Sequence, residues 1–184
     1  MALLLGVDFG TGGVRVGAFD LDRRALVGTE ESVYDTAFPH PGWAEQNPDD
    51  WWTALGRTSR ALLTRLGNPE IAGIGLATTA STVVACDRLA RPLRPALLWM
   101  DCRSAEEAVF TSTIDHPVLA LSGGGDASEW LVPKAMWLAR HEADVYRHAD
   151  IICECIDYLN FRLTGRWVAS RMNATCKWNY DPLS

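Results

Sequence analysis

The sequence is short of lysine and has no long apolar segment. Of its 17 basic residues only Lys134 and Lys177 are lysine, and the rest are arginine. Because a compact ammonium group does things that a guanidinium cannot, both lysines are candidates for special roles. No apolar run approaches the length that spans a membrane. The short apolar start at residues 1–7 has no basic leader, so we expect neither a signal peptide nor a membrane partner.

Two common nucleotide-binding motifs are also absent, and acidic residues outnumber basic ones, 23 to 17. The net charge is -6 and the pI is about 5.2, which argues against nucleic acid as the main partner. A nucleotide ligand stays possible, because it needs only a local pocket of donors. The sequence contains neither the GxxxxGK[ST] loop nor the GxGxxG turn, so a nucleotide site would have to be built in another way.

The cysteines give no disulfide framework. An odd number without paired spacing indicates reduced thiols and hence a cytoplasmic protein; the five are Cys86, Cys102, Cys153, Cys155 and Cys176. The Cys153-Glu154-Cys155 run raises the question of a metal site. No second ligand pair lies at zinc spacing, and the simpler interpretation is a buried strand end.

What the sequence does have is a strong pattern of buried elements. Alternating and apolar runs predict three strands joined by short turns, at residues 3–9, 14–19 and 25–34. A loop at 39–48 then leads into a helix that starts at Pro48 and ends before Gly67. We expect its apolar face to hold Trp52, Leu55, Leu62 and Leu66. A buried strand is expected at 71–77.

The remaining elements alternate. Strands are predicted at residues 82–86, 96–99 and 151–153, and helices at 104–110, 133–141 and 157–164, with a glycine-rich loop at 122–128. Meander, helix, strand and then alternation suit an α/β fold of the ribonuclease H-like, or actin-like ATPase, class. That fold has a mixed sheet that starts with an antiparallel three-strand meander and is flanked by helices. Periodicity alone also allows other α/β folds.

The turn after the first strand is the most informative segment. Three glycines in four positions let the backbone approach a ligand closely, and consecutive N–H groups in such a turn can cradle an anion. Thr11 adds a hydroxyl, Arg15 can reach a phosphate oxygen, and Asp8 can hold Mg²⁺ directly or through water. These are parts that phosphoryl transfer needs. A plain β-hairpin turn is the alternative, with the glycines serving geometry alone.

The run Gly6-Val-Asp-Phe-Gly-Thr-Gly-Gly-Val-Arg15 resembles the opening of actin-like ATPases, and of the FGGY carbohydrate kinases in particular. Gly42–Pro48 resembles that family's GWxEQ(D/N)P segment, and Trp99–Arg103 resembles its WxDxR segment near the sugar pocket. Ile71–Leu76, followed by a polar loop, resembles the strand that delivers sugar contacts. The resemblance covers nearly all of the chain, from Leu4 to about Asp181.

The resemblance implies roles for individual residues. It associates Asp8 with Mg²⁺, and Thr11, Gly12, Gly13 and Arg15 with the phosphates of ATP. It implies sugar contacts at Ser81, Trp99, Asp101, Arg103, Glu129 and Lys177. Hydroxyls, carboxylates and aromatic faces are the groups that bind sugars. Two simpler interpretations stay open: Trp99 as a core residue, and Asp101 with Arg103 as a surface ion pair of little energetic value. Lys134, at a helix start, is expected to be structural.

The same resemblance narrows the substrate. Glycerol kinases carry an Arg-Glu pair where this chain has Ala80 and Ser81. The runs 77–84, 129–138 and 176–180 resemble the ribulokinase branch instead. We therefore expect a pentulose kinase that converts D-ribulose into D-ribulose 5-phosphate with MgATP.

In that family the general base lies in a later segment, so no catalytic residue is assigned before Ser184. Residues 1–184 are expected to be an incomplete N-terminal domain, inactive alone, and a homodimer of the full-length protein stays open. Two rivals remain. One is another actin-like ATPase, which would bind nucleotide without sugar dependence. The other is a non-catalytic truncated relative that binds sugar.

Overall fold

A computed structural model describes residues 2–181 of the chain, apart from the side chain of Cys176. The chain divides into two compact units. The first comprises residues 2–35 and 49–79, and the second comprises residues 36–48 and 80–181.

The first unit contains a four-stranded mixed sheet and one long helix. Its elements are β1 (Ala2–Phe9), β2 (Gly13–Asp20), β3 (Ala25–Val33), α1 (Pro48–Arg65) and β5 (Glu70–Thr78). The strand order is β3-β2-β1-β5, in which β1 pairs antiparallel with β2 and parallel with β5. The predicted meander and mixed sheet are therefore confirmed.

One side of β1 and β2 builds the core of this unit. The inward residues alternate as a half-buried sheet requires, and they include Leu5, Val7, Val14 and Val16. In the register of this pair Asp8 lies directly opposite Arg15. Directly opposed side chains of neighbouring strands lie close together on one face, so the sequence positions an acid beside a base next to the glycine turn.

Helix α1 starts at Pro48 and buries Leu55 and Leu62, as predicted, but its buried tryptophan is Trp51 and not Trp52. Trp51 is 2% exposed, whereas Trp52, which we expected to be buried, is only half-buried. Trp51, Leu55, Thr58 and Leu62 follow one another at steps of three and four residues, and all four are buried. The choice between two adjacent tryptophans could not be made from periodicity, because both fit the stripe within one residue.

The expectation of a buried strand at 71–77 is wrong. Strand β5 forms, but it is the last strand of the sheet order and none of its residues is buried. Ile74 is 51% exposed. In the described residues β5 has a neighbouring strand on one side only, so its side chains lack the same-face neighbours that a second flanking strand would provide.

The second unit contains an antiparallel sheet and the other helices. Its strands are β4 (Glu45–Gln46), β6 (Val83–Cys86), β7 (Ala96–Leu97) and β8 (Ile151–Glu154), in the order β4-β7-β6-β8. Its helices are α2 (Ala105–Ser112), a 3₁₀ helix (Pro117–Ser122), α3 (Leu131–His141), α4 (Ala143–His148), α5 (Cys155–Thr164) and α6 (Arg171–Lys177). Val83, Ala85, Leu97, Trp137 and Leu138 form a buried hydrophobic cluster in this unit.

Several elements of this unit were not predicted. They are β4, which lies inside the segment expected to be loop, the 3₁₀ helix, α4 and α6. All are seven residues or shorter, and so short a segment carries too few repeats to show a period. Helix α3 starts two residues before Pro133, which therefore lies in its first turn, where proline is tolerated. Within residues 2–181 no helix is both long and apolar enough to cross a bilayer.

Candidate functional site

The glycine turn between β1 and β2 is held by Tyr34. The Tyr34 hydroxyl shares its single O–H between the carbonyl oxygens of Gly10 and Gly13, and the Tyr34 N–H donates to the carbonyl of Gly12 at 3.3 Å. The Gly10 N–H donates to the Gly13 carbonyl at 3.0 Å. The turn is thus tied to the end of β3 before any ligand arrives, and such preorganisation lowers the entropic cost of binding.

An open cavity of about 290 Å³ lies against this turn, lined by residues 10–15 and 31–33. A Cβ at Gly12 would have no neighbour within 4 Å, whereas a Cβ at Gly13 would lie 2.5 Å from the Ser32 carbonyl oxygen. Gly13 is therefore required by the packing of β3. Gly12 leaves the space open that an approaching anion would use.

The two glycines give a matched prediction. Gly13→Ala should lower the free energy of unfolding by about 1–3 kcal/mol, because the added methyl group overlaps backbone atoms. Gly12→Ala should leave thermal stability nearly unchanged and raise the KM for ATP on the order of tenfold. Thermal unfolding and initial rates of the full-length protein measure both. An unchanged KM in Gly12→Ala would argue for a plain hairpin turn.

Asp8 is the predicted metal residue, and its carboxylate lies beside the turn. Arg15 Nη2 donates to Asp8 Oδ2 at 2.7 Å, with the two side chains 67% and 49% exposed. No cluster of three or more His, Cys, Asp or Glu residues suited to a metal occurs among the residues that the structure describes. A single carboxylate is still a fitting partner for Mg²⁺, which commonly keeps waters and binds substrate phosphates through one or two protein carboxylates.

In the second unit Asp101 and Arg103 form a buried pair, not a surface pair. Both side chains are fully buried. Arg103 donates to both carboxylate oxygens, at 2.9 Å from Nε and 2.7 Å from Nη2, and the Ala44 N–H donates to Oδ2 at 2.7 Å. The interpretation as an exposed pair of little value is therefore wrong. With both carboxylate oxygens engaged, the pair fixes the turn that carries Trp99, and its predicted sugar contact stays a prediction.

The guanidinium of Arg103 lies in an aromatic and acidic pocket. Its central carbon is 3.7 Å from the ring centre of Trp43 and 4.9 Å from that of Trp137. Glu45 provides a second carboxylate, 2.7 Å from Nη2. The GWAEQ segment, expected only to be a loop, thus supplies both a ring and an acid to this pocket. Planar stacking with bidentate pairing is what arginine does and lysine cannot.

The side chains of Trp99 and Lys177 are accessible enough to contact a ligand, since Trp99 is exposed and Lys177 is half-buried. Trp99 follows β7 and is 43% exposed, so its interpretation as a core residue is wrong. Lys177 Nζ lies 4.9 Å from the ring centre of Trp130, a cation–π distance. Glu129, the residue before Trp130, is half-buried. Exposed aromatic rings beside polar groups are suited to the mixed surface of a sugar.

Ser81 is a third predicted sugar contact that is buried, after Asp101 and Arg103. It is 5% exposed, and its N–H donates to Glu154 Oε2 at 2.9 Å. Its carbonyl accepts from Lys134 Nζ at 2.7 Å. Burial lowers the pKa of Lys134 to about 7, against the opposing influence of the nearby acids Asp101 and Glu129. Burial also raises the pKa of Glu154, and the hydrogen bonds from Ser81 and Trp178 oppose that change.

Glu154 is a residue of this site that sequence reasoning missed. It lies between Cys153 and Cys155, both buried, at the N-terminus of α5, where it shares a capping box with Asp157. The sequence signal that could have identified it is its position at the end of an apolar strand, because a buried carboxylate requires a hydrogen-bonding or charged partner. Lys134 was singled out as one of two lysines and expected to be structural, and the structure places it fully buried beside Ser81.

The chain matches known proteins over most of its length. The model for the N-terminal domain of the FGGY family of carbohydrate kinases matches residues 3–181. The xylulose kinase of Escherichia coli strain K12 is 30% identical over 172 residues, covering 94% of this chain and 35% of that protein. The ribulokinase of Geobacillus thermodenitrificans is 28% identical over 206 residues, covering 95% of this chain and 36% of that protein.

A solved structure agrees. The crystal structure of a xylulose kinase from Brucella ovis superposes with a TM-score of 0.82 at 34% identity, covering 89% of this chain and 34% of that one. The described chain thus spans about a third of the length of these relatives.

Proposed function

Because the chain belongs to the FGGY family of carbohydrate kinases, we propose that the full-length protein transfers the γ-phosphoryl group of MgATP to a hydroxyl of a pentulose. The observation that carries the kinase part is the glycine turn. It is preorganised by Tyr34, lies beside the Asp8–Arg15 pair and opens onto a cavity at Gly12.

In this proposal the first unit binds the nucleotide. The turn residues Thr11, Gly12 and Gly13 approach the phosphates, and Arg15 places positive charge near them. Asp8 orients Mg²⁺, which, when bound, neutralises phosphate charge. Preorganised donors and charges of this kind are the main means by which phosphoryl transfer is catalysed.

The second unit binds the sugar. Trp99 and Trp130 offer ring faces, and Ser81, Glu129 and Lys177 offer polar groups. Asp101 and Arg103 hold the Trp99 turn in place. No described residue is assigned as the general base, which we place beyond Ser184, and we therefore propose that residues 1–184 form only part of the kinase. Reduced thiols and a need for ATP favour the cytoplasm as its compartment.

Two pentuloses are candidates. The runs 77–84, 129–138 and 176–180 favour D-ribulose through their resemblance to the ribulokinase branch. The relatives' names include both xylulose kinases and a ribulokinase at nearly the same identity. D-xylulose is therefore the second candidate substrate. The two sugars differ only in configuration at carbon 3, so the choice depends on individual polar contacts.

Initial rates of ADP release by the full-length protein test the proposal, with D-ribulose, D-xylulose, L-ribulose and glycerol each in excess. We expect one of the D-pentuloses to give a kcat/KM at least on the order of 100-fold above that for glycerol, because a site built for several hydroxyls leaves polar groups unpaired with a smaller substrate. Equal rates with and without sugar would favour an actin-like ATPase instead.

A further inference from the structure

Ser81 has a backbone conformation that its side chain disfavours. Its φ is +65°, in the left-handed region, where residues with a Cβ are uncommon. It lies two residues before β6, in the loop that is expected to meet the sugar. A non-glycine residue persists in this region only when its surroundings hold it there.

Two buried charged groups hold Ser81 from opposite sides. Glu154 Oε2 accepts the Ser81 N–H at 2.9 Å, and Lys134 Nζ donates to the Ser81 carbonyl at 2.7 Å. Lys134 and Glu154 are both fully buried. The donor and the acceptor of one residue's backbone are therefore each taken by an ionisable side chain from a distant part of the chain.

The same two side chains extend to the other predicted sugar contacts. Lys134 Nζ also donates to the Leu98 carbonyl at 2.7 Å, directly before Trp99. Glu154 also accepts from the Trp178 indole N–H at 3.1 Å, directly after Lys177. Three segments that are far apart in sequence are thus joined through one acid and one amine.

We propose that Lys134 and Glu154 are positioning residues that hold Ser81, and with it the Trp99 and Lys177 segments, in the arrangement that binds the pentulose; this rests on the proposed kinase function. Neither residue needs to touch the sugar. Their effect is on the geometry of groups that do, which sets substrate affinity when the contacts must be placed closely.

Lysine is suited to this role in either protonation state. With its pKa lowered to about 7 by burial, the amine spends part of its time neutral near neutral pH. A neutral amine still has two N–H groups, which match the two carbonyls that it contacts. Lys134→Met keeps the long stem and loses both donors, so it removes the hold on Ser81 while filling similar space.

The first test compares Lys134→Met with the parent in the full-length protein. Hydrogen exchange of peptides that span residues 79–84 should become at least tenfold faster, and the KM for the pentulose should rise at least tenfold. The KM for ATP should change less than twofold. Unchanged exchange in this segment overturns the proposal whether or not the protein is a kinase.

Glu107→Gln is the matched control. Glu107 is also buried and paired, with Arg140 Nη1 at 3.0 Å, but its ion pairs in the described residues are with Arg140 and His141, which lie outside the three sugar segments. It should leave both exchange at 79–84 and the sugar KM unchanged. If it raises the sugar KM as much as Lys134→Met does, the effect is general destabilisation and the proposal fails.

Glu154→Met gives an independent second variant, and the double variant gives the sharpest outcome. Two groups that act through one residue show non-additive effects. We therefore expect the sugar KM of Lys134→Met/Glu154→Met to lie within threefold of the weaker-binding single variant. Single effects that multiply would show two unrelated roles and contradict the proposal.

Absence of pentulose activity in the parent protein would instead refute the proposed function. The hydrogen-exchange experiment would still decide whether Lys134 and Glu154 hold Ser81 in place.

Discussion

Arg103→Met should lower the free energy of unfolding by about 3–5 kcal/mol, a large part of the total stability of an ordinary domain. The side chains of Arg103 and Asp101 are fully buried, and Glu45 pairs with the same guanidinium. Removing the cation leaves the buried Asp101 carboxylate without its cationic partner, while Glu45 keeps Arg94, and such an uncompensated buried charge is costly. It also removes the plane that stacks on Trp43.

Chemical denaturation followed by tryptophan fluorescence measures this effect, since Trp43 and Trp137 both contact the guanidinium. Arg147→Met is the control. Arg147 pairs with Asp144 on the surface, with side chains 64% and 86% exposed, and exposed pairs contribute little. We expect its midpoint to equal that of the parent. An Arg103→Met midpoint equally close to the parent would mean that the buried pocket does not stabilise the second unit.

Asp8→Asn should lower kcat by about 10²–10³-fold, with little change in stability. The amide keeps the shape of the carboxylate and loses the charge that we propose orients Mg²⁺, whose stabilisation of a phosphoryl-transfer transition state is several kcal/mol. Stability should hardly change, because the ion pair with Arg15 is half exposed. Single-turnover rates at several Mg²⁺ concentrations measure the effect.

Asp22→Asn is the matched control for Asp8→Asn. It removes one negative charge from the same unit, in the turn at the opposite end of β2 from the glycines. We expect parental kcat. If both variants lose activity equally, net charge is the cause; if neither does, Asp8 does not serve the metal.

The elements that local pattern could reveal were predicted, and those that depend on distant contacts were not. The meander, the turn at Gly10–Gly13 and the start of α1 at Pro48 all follow from residues adjacent in sequence. Asp8 and Arg15 flank one short turn, so their pairing could be expected from the register of a hairpin.

The hydrogen bonds of Lys134 and Glu154 to the Ser81 backbone could not be predicted in this way. Lys134 and Glu154 are 53 and 73 residues away from Ser81. The residues next to them in sequence do not indicate that Ser81 is their partner. The edge position of β5 likewise depends on strand order. An apolar run of that length is equally consistent with a central strand, and only the sheet topology decides.

The central claim, that the full-length protein phosphorylates a pentulose, is tested most directly by identifying the product. The purified protein is incubated with MgATP and D-ribulose or D-xylulose, and the sugar is analysed by mass spectrometry alongside ADP. We predict a pentulose monophosphate in amounts equal to the ADP formed. ADP without sugar phosphate, or no turnover with any pentulose, would contradict the account.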